Sequence, residues 1–194
     1  MRLFTHFSFD TLSNSYLLGP EGGGDAVLFD PASFDVALLE LVETQRYYIR
    51  HVILTHCDEE HLGGLRTLRR VYDCAIHAAH PVVIGEAAST VVDGDELDVG
   101  FASVRAIAMS GHSGDSLAYH IGGFLFTGSA MSAAEPGRVP NPYAKALLLA
   151  DIQDRLLSLP DETVILPFFG PPSTIGLEKR TLPMIDPTRI SDPS

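Results

Sequence analysis

The densest run of side chains able to do chemistry is Thr55-His56-Cys57-Asp58-Glu59-Glu60-His61-Leu62-Gly63-Gly64. It follows the short apolar strand His51-Val-Ile-Leu-Thr55 and leads into a helix, so carboxylates and imidazoles gather where a sheet ends and a helix begins, a common place for a site. His56 and Asp58 can point to one side of an extended loop, while Glu60 and His61 can reach the same cavity as the chain turns into the helix. Imidazole and carboxylate together suit zinc, iron or manganese. The same run also reads as a helix N-terminus in which Asp58, Glu59 and Glu60 offset the helix dipole and His56 lies on the surface. A further histidine, His112, sits in Gly111-His112-Ser113-Gly114-Asp115-Ser116, where glycines let the backbone turn sharply and carry the imidazole inward; a histidine in a turn can equally face solvent. Alternation from His56 and Asp58 turns Cys57 away from their side of the loop, and Cys74 reads as a buried apolar residue in a strand. His6, His51, His77, His80 and His120 fall in or beside strand candidates and read as packing or surface residues.

The elements that must position these residues follow from hydrophobic periodicity. An antiparallel pairing opens the chain through Leu3–Phe7 and Tyr16-Leu17-Leu18, and the turn Gly22-Gly23-Gly24-Asp25 leads to Ala26-Val27-Leu28-Phe29, which Asp30-Pro31 closes. Phe34, Ala37, Leu38, Leu41 and Val42 predict a helix over about 33–46; Leu62, Leu65, Leu68 and Tyr72 predict another, before a strand at Cys74–His77. From Val91 onward, short strand candidates at 91–92, 97–99, 104–107, 117–120 and 124–127 alternate with Gly and Asp turns, as in an antiparallel meander. Asn141-Pro142 supplies an N-cap and a first-turn proline for a helix over about 142–158, and Thr163–Leu166 is the last clear strand. The pattern supports two mixed sheets with helices outside: an α/β protein in one domain over 1–185, with a loose tail at 186–194.

Composition narrows the partners. The 194 residues carry 25 acidic against 13 basic side chains, a formal charge of -12. Such a field repels phosphate backbones and anionic lipid, so neither nucleic acid nor a membrane is expected as a partner. No window approaches the roughly 18–20 apolar residues that span a bilayer. The first residues lack the apolar core and cleavage site of a signal peptide, and the expected location is the cytoplasm. Two cysteines are too few for a disulfide scaffold. Neither a phosphate-binding glycine loop with a following Lys-Ser/Thr nor a Gly-x-Ser-x-Gly elbow is present.

The order of elements and motifs resembles the metallo-beta-lactamase superfamily, especially its small glyoxalase II-like hydrolases. The matching frame runs from Asn14-Ser-Tyr-Leu through Phe29-Asp30-Pro31, Thr55–Gly64, Gly111–Ser116 and Phe126-Thr-Gly128 to Gly170–Lys179. The resemblance implies a four-layer α/β-β/α sandwich and a metal-dependent hydrolase. Family ligand positions fall on His56, Asp58, Glu60, His61 and His112, with aspartate in the second position where the family has histidine. The family's bridging aspartate falls on Ser129 and its last histidine on Phe169, so the bridge and one terminal ligand are absent, and Phe169 cannot donate a lone pair.

His56, Asp58 and His112 therefore form a two-histidine, one-carboxylate set, complete for one zinc ion, with iron or manganese as alternatives, whereas a second metal would lack its bridge. In this reading Glu60 accepts the proton of a metal-activated water and His61 shuttles a proton or stabilises an oxyanion. The resemblance implies a small ester, thioester or lactone as substrate, and a homo-oligomer is compatible with it. Two alternatives stand beside this one: a non-catalytic binding or scaffold protein on an altered fold, with Phe169 adding apolar surface to the old pocket, and an oxygen-dependent enzyme with mononuclear iron.

Overall fold

The computed structural model describes residues 1–182, so the expected tail at 186–194 and the end of the expected 1–185 domain lie outside the described residues. β1 (Arg2–Ser8), β2 (Ser13–Gly19), β3 (Gly24–Phe29), β4 (Tyr47–Ile53) and β5 (Ala75–Ala78) lie side by side in chain order, with Ser89–Thr90 at the far edge. The first three pair antiparallel, and β4 and β5 join in parallel. The second sheet also has six strands, in the order Ser173–Thr174, Val164–Pro167, Phe124–Gly128, Leu117–Ile121, Ser103–Ala108 and Glu96–Asp98. Four of these form the expected antiparallel meander, and Val164–Pro167 joins Phe124–Gly128 in parallel.

Alternation along the strands builds three apolar layers, and these define the sandwich. In β3, Ala26 and Leu28 face one way to meet Leu38 and Val42 of helix α1 (Val36–Thr44). Val27 and Phe29 face the other way, into the space between the sheets, where Phe29 stacks on Phe126 at 3.7 Å between ring centroids. Ile107, Ala118, Leu125 and Ile165 turn outward onto Leu148, Ile152 and Leu156. The sequence of layers is helix, sheet, sheet, helix, as expected from the resemblance. Ile49 and Val52 share the helix-facing side of β4 although they are three residues apart, because the pairing steps from Ala26–Ile49 to Val27–His51 and leaves Arg50 as an extra residue.

Several expected boundaries move for local reasons. The first helix begins at Val36 because Asp35 caps it, its carboxylate accepting from Leu38 N at 3.0 Å. The strand expected at 51–55 starts four residues earlier, at Tyr47. The helix expected through Leu62–Tyr72 is divided into α2 (Glu59–Leu62) and α3 (Leu65–Val71). Gly63 and Gly64 between them press on the Ala32–Phe34 backbone, where a Cβ would come within 2.2 Å of Ala32 O and 2.4 Å of Ser33 C. No strand forms at Val91–Val92, since Asp95 takes the Val92 N–H at 2.8 Å; the pairing sits at Ser89–Thr90. The helix expected over 142–158 is α4 (Pro142–Asp151), capped by Asn141, and its last turn widens into a π-helical turn at Ile152–Leu156. The short pairs Val82–Val83 with Glu86–Ala87 and Met131–Ser132 with Glu135–Pro136 were not legible in the periodicity; nor were Ser173–Thr174 and α5 (Ile175–Thr181).

Among the other histidines, His6 is buried and hydrogen-bonded to Asp35 at 3.0 Å, tying β1 to the start of α1. His51 and His77 meet at 3.1 Å across β4 and β5. Burial, with His51 adding to it, lowers the His77 pKa to about 4. The unfolded chain binds a proton near the ordinary value of 6.5, so between there and about pH 4 it takes up more protons than the folded one. The contribution of His77 is therefore intact above pH 6.5 and is lost as the pH falls through that window. A series of urea midpoints between these two pH values should fall, and His77→Gln should flatten the slope.

Candidate active site

The site lies where strand ends of both sheets meet. β3 ends at Phe29, and the next residue, Asp30, adopts a left-handed backbone with φ of 46°. Its buried carboxylate accepts from Thr55 N at 2.8 Å and from Thr55 Oγ1 at 2.7 Å, locking the loop after β4 to the end of β3. The same carboxylate lies 3.2 Å from His61 Nδ1, and Thr55 Oγ1 lies 3.4 Å from that atom. Thr55 has spent its hydroxyl hydrogen on Asp30, so both neighbours of Nδ1 can only accept. The His61 proton therefore sits on Nδ1, and the lone pair on Nε2 accepts from Ser129 Oγ at 3.0 Å. Phe168 stacks on the His61 ring at 3.7 Å and 13°, closing its other face. The loop bearing Phe168 is held by Asn14, whose side chain donates to Pro167 O and Gly170 O, and by Tyr16, which donates to Pro167 O at 2.7 Å.

His56 is fixed by a second carboxylate. Ser113 donates to Asp115 Oδ1 at 2.6 Å, and His56 Nε2 lies 2.7 Å from Ser113 Oγ and 3.1 Å from Asp115 Oδ1. Both neighbours accept, so Nε2 carries the proton and Nδ1 bears the lone pair. That Nδ1 is buried without a hydrogen-bond partner, and it faces Asp58 Oδ2 at 3.2 Å. Burial holds His56 below its ordinary pKa against the pull of Asp115 and Asp58. Asp115 lies below the usual carboxylate range: burial opposes this, but the Ser113 hydroxyl, His56 and the Cys57 N–H outweigh it.

His112 Nδ1 donates to Arg138 O at 2.6 Å, which leaves its Nε2 lone pair free. The His112 ring centre lies 5.2 Å from that of His56, and His61 lies 5.4 Å from His56. A cavity of about 530 Å³ opens over the cluster, lined by Asp58, Glu60, His61, His112, Ser129 and Phe169, and also by Glu135 and Arg138.

The structure thus gathers the expected residues in one place. His56 and Asp58 are adjacent, His112 is beside them, and Glu60, His61, Ser129 and Phe169 line the same cavity. Among the described residues no three His, Cys, Asp or Glu side chains converge closely enough to hold a metal ion as they stand. The donor chemistry nevertheless fits a cation. The buried, unpartnered His56 Nδ1 faces an exposed Asp58 carboxylate oxygen at 3.2 Å, and a cation between them would give that nitrogen a partner. Asp58 also occupies the N-cap position of α2, as the helix-terminus reading expected, but makes no capping hydrogen bond. Cys57 packs against the helix-side core, and burial pushes its thiol up to about 12, so it supplies no thiolate here.

Asp30, Ser113, Asp115 and Phe168 carry roles that the residue pattern did not assign. The signal available for Asp115 was its place two residues after Ser113 in the glycine-bounded turn. For Asp30 it was only a carboxylate at a strand end, because its partners lie 25 and 31 residues further on.

Two stacked mixed sheets under outer helices, with a His/Asp cluster at the strand ends, make an α/β-β/α sandwich. Residues 9–167 match the family described as Metallo-beta-lactamase superfamily, and the chain belongs to that family. It is 32% identical over 140 residues to hydroxyacylglutathione hydrolase of Yersinia enterocolitica, covering 72% of this chain and 55% of that protein. The chain thus spans about half the length of the curated relatives it matches. Among solved structures, ETHE1 from Myxococcus xanthus superposes with a TM-score of 0.84 at 28% identity, covering 94% of this chain and 84% of the other. TTHA1623 in a di-iron-bound form gives 0.77 at 27% identity, covering 93% and 98%. No helix among the described residues is long and apolar enough to cross a membrane.

Proposed function

We propose that the chain is a hydrolase of a small ester, thioester or lactone, built as one domain over 1–185, with a single divalent metal, zinc first, held by His56, Asp58 and His112. The observation that carries this reading is the buried, unpartnered His56 Nδ1 facing the Asp58 carboxylate, beside a His112 whose tautomer leaves a second lone pair free. A divalent cation there would lower the pKa of a water and polarise a carbonyl. The chain's own groups do the rest. Glu60, on the cavity wall, takes up the proton released by the attacking water. His61, fixed by Asp30 and Thr55, moves a proton at Nε2. Phe169 and Phe168 exclude water from the inner wall. The kinship with hydroxyacylglutathione hydrolase supports an acyl substrate, and the net charge of -12 supports a soluble small molecule over a nucleic acid.

The test is metal content with turnover. Protein expressed with zinc, iron and manganese should carry about one metal per chain; His56→Ala and His112→Ala should lose it. Glu60→Gln should keep most of its metal while turnover on an ester, thioester and lactone panel falls by about 10² or more. Equal metal in all three variants sinks the ligand assignment, and no stoichiometric metal in wild type moves the chain to the binding or scaffold reading.

A further inference from the structure

We propose that Ser129 is a covalent nucleophile, with His61 as its general base and Asp30 as the group that orients His61, so that acyl groups pass through an ester on Ser129. The proposal rests on the reading of the chain as a hydrolase of an ester, thioester or lactone, but replaces direct attack by water with two steps through Ser129 and does not require the metal or Glu60. Ser129 Oγ meets His61 Nε2 at 3.0 Å, and His61 Nδ1 on the other side of the same ring meets Asp30 Oδ1 at 3.2 Å. These are the roles of nucleophile, base and orienter, and the constellation is recognised by geometry rather than by fold.

Three further features fit the assignment. The tautomer is the required one, since acceptors on the Nδ1 side hold the proton there and leave Nε2 free to receive the serine proton. Asp30 and His61 are 3% and 1% exposed, whereas Ser129 is partly open to the cavity, so the base is shielded and the nucleophile reachable. Ser129 also follows directly on Gly128, which ends its strand with φ of 55°, so the chain leaves the sheet in a sharp turn that presents the hydroxyl at the strand end. A neutral serine hydroxyl is a poor replacement for a carboxylate that bridges two metals, and its bond to a buried, carboxylate-backed histidine gives the position a different use.

In the reaction, Ser129 Oγ bonds to the substrate carbonyl carbon as its proton passes to His61 Nε2. The bond from that carbon to the leaving oxygen or sulfur breaks, and the leaving group departs as an alcohol or thiol with the proton from His61. Water then gives a proton to His61 as its oxygen bonds to the acyl carbon. The carbon–Oγ bond breaks, the acid is released, and the proton returns to Ser129.

The test uses full-length protein, both as purified and after metal removal by a chelator. Each is treated with a fluorophosphonate, which forms a stable Oγ–phosphorus bond with loss of fluoride, and is mapped by peptide mass spectrometry. One adduct per chain on Ser129 is expected in both preparations, with labelling at least about 100-fold slower in His61→Gln. With p-nitrophenyl acetate, wild type should release a stoichiometric burst of nitrophenol that Ser129→Ala lacks. An adduct on another residue, or ester turnover in Ser129→Ala equal to wild type, overturns the nucleophile and leaves the hydrolase reading standing. Wild type with neither adduct nor burst also overturns it, and turnover by the metal-loaded protein then decides the hydrolase reading separately.

Discussion

Asp30→Ala is expected to cost about 3–5 kcal/mol of folding stability, because it leaves several buried hydrogen-bond donors without an acceptor at about 1–3 kcal/mol each. The substitution strips the acceptors from Thr55 N and Thr55 Oγ1 and takes the neighbouring carboxylate from His61, all at buried positions. It also leaves alanine at a φ of 46°, a region that aspartate and asparagine tolerate better. Asp30→Asn keeps an acceptor for Thr55 N but turns an amide or loses an acceptor toward the threonine hydroxyl, so its cost should be smaller, about 1–3 kcal/mol. Urea unfolding followed by far-UV circular dichroism checks both. A loss below about 1 kcal/mol for the alanine variant would contradict the anchoring of the post-β4 loop by Asp30.

The second large effect is expected at Gly128. Its φ of 55° disfavours an L side chain by about 1–2 kcal/mol. A Cβ there would stand 2.2 Å from Thr55 Oγ1 and 2.6 Å from Thr55 Cβ, and relieving such overlap in a packed region costs about 1–3 kcal/mol more. Gly128→Ala should therefore lose about 2–5 kcal/mol, and the shift should be felt at the site, because the displaced hydroxyl is the one that spends its hydrogen on Asp30. Gly123→Ala is the control: nothing lies within 4 Å of its added Cβ, so its unfolding midpoint should stay near wild type. Equal midpoints for the two variants would contradict the close approach of Gly128 to Thr55.

Much of this architecture is visible in the residue order because its determinants are local. Alternation in Ala26–Phe29 separates two faces, Asn141-Pro142 announces α4, and glycine-bounded turns divide the second sheet. The pieces that escape are set by distant partners. Two-residue strands such as Ser173–Thr174 exist only because Val164 and Ile165 offer them an edge. Gly63-Gly64 interrupts a helical stripe because Ala32 and Ser33 leave no room for a Cβ. The site divides along the same line. His56, Asp58, Glu60 and His61 are one short run, and His112 stands out between glycines. Asp30 looks like a strand terminator until Thr55 and His61 fold onto it, and Ser129 looks like a lost ligand until His61 Nε2 is found facing it.

The parallel pairing of Phe124–Gly128 with Val164–Pro167 bears on the order in which the cavity is assembled. Phe124 meets Val164 and Phe126 meets Leu166, and the intervening chain must first complete α4 and its π-helical turn. Such non-local pairings are slow to form, because loop-closure entropy is lost before any contact is gained. The β1–β2 pairing, by contrast, closes through a short connection. Ser129 and Phe168 come from the ends of the two strands joined by this long crossover, while Asp30 and His61 follow strands whose own parallel crossover is shorter. In refolding, the N-terminal sheet should therefore precede the arrival of Phe168 on the His61 ring, so this corner of the cavity is among the last parts of the chain to assemble.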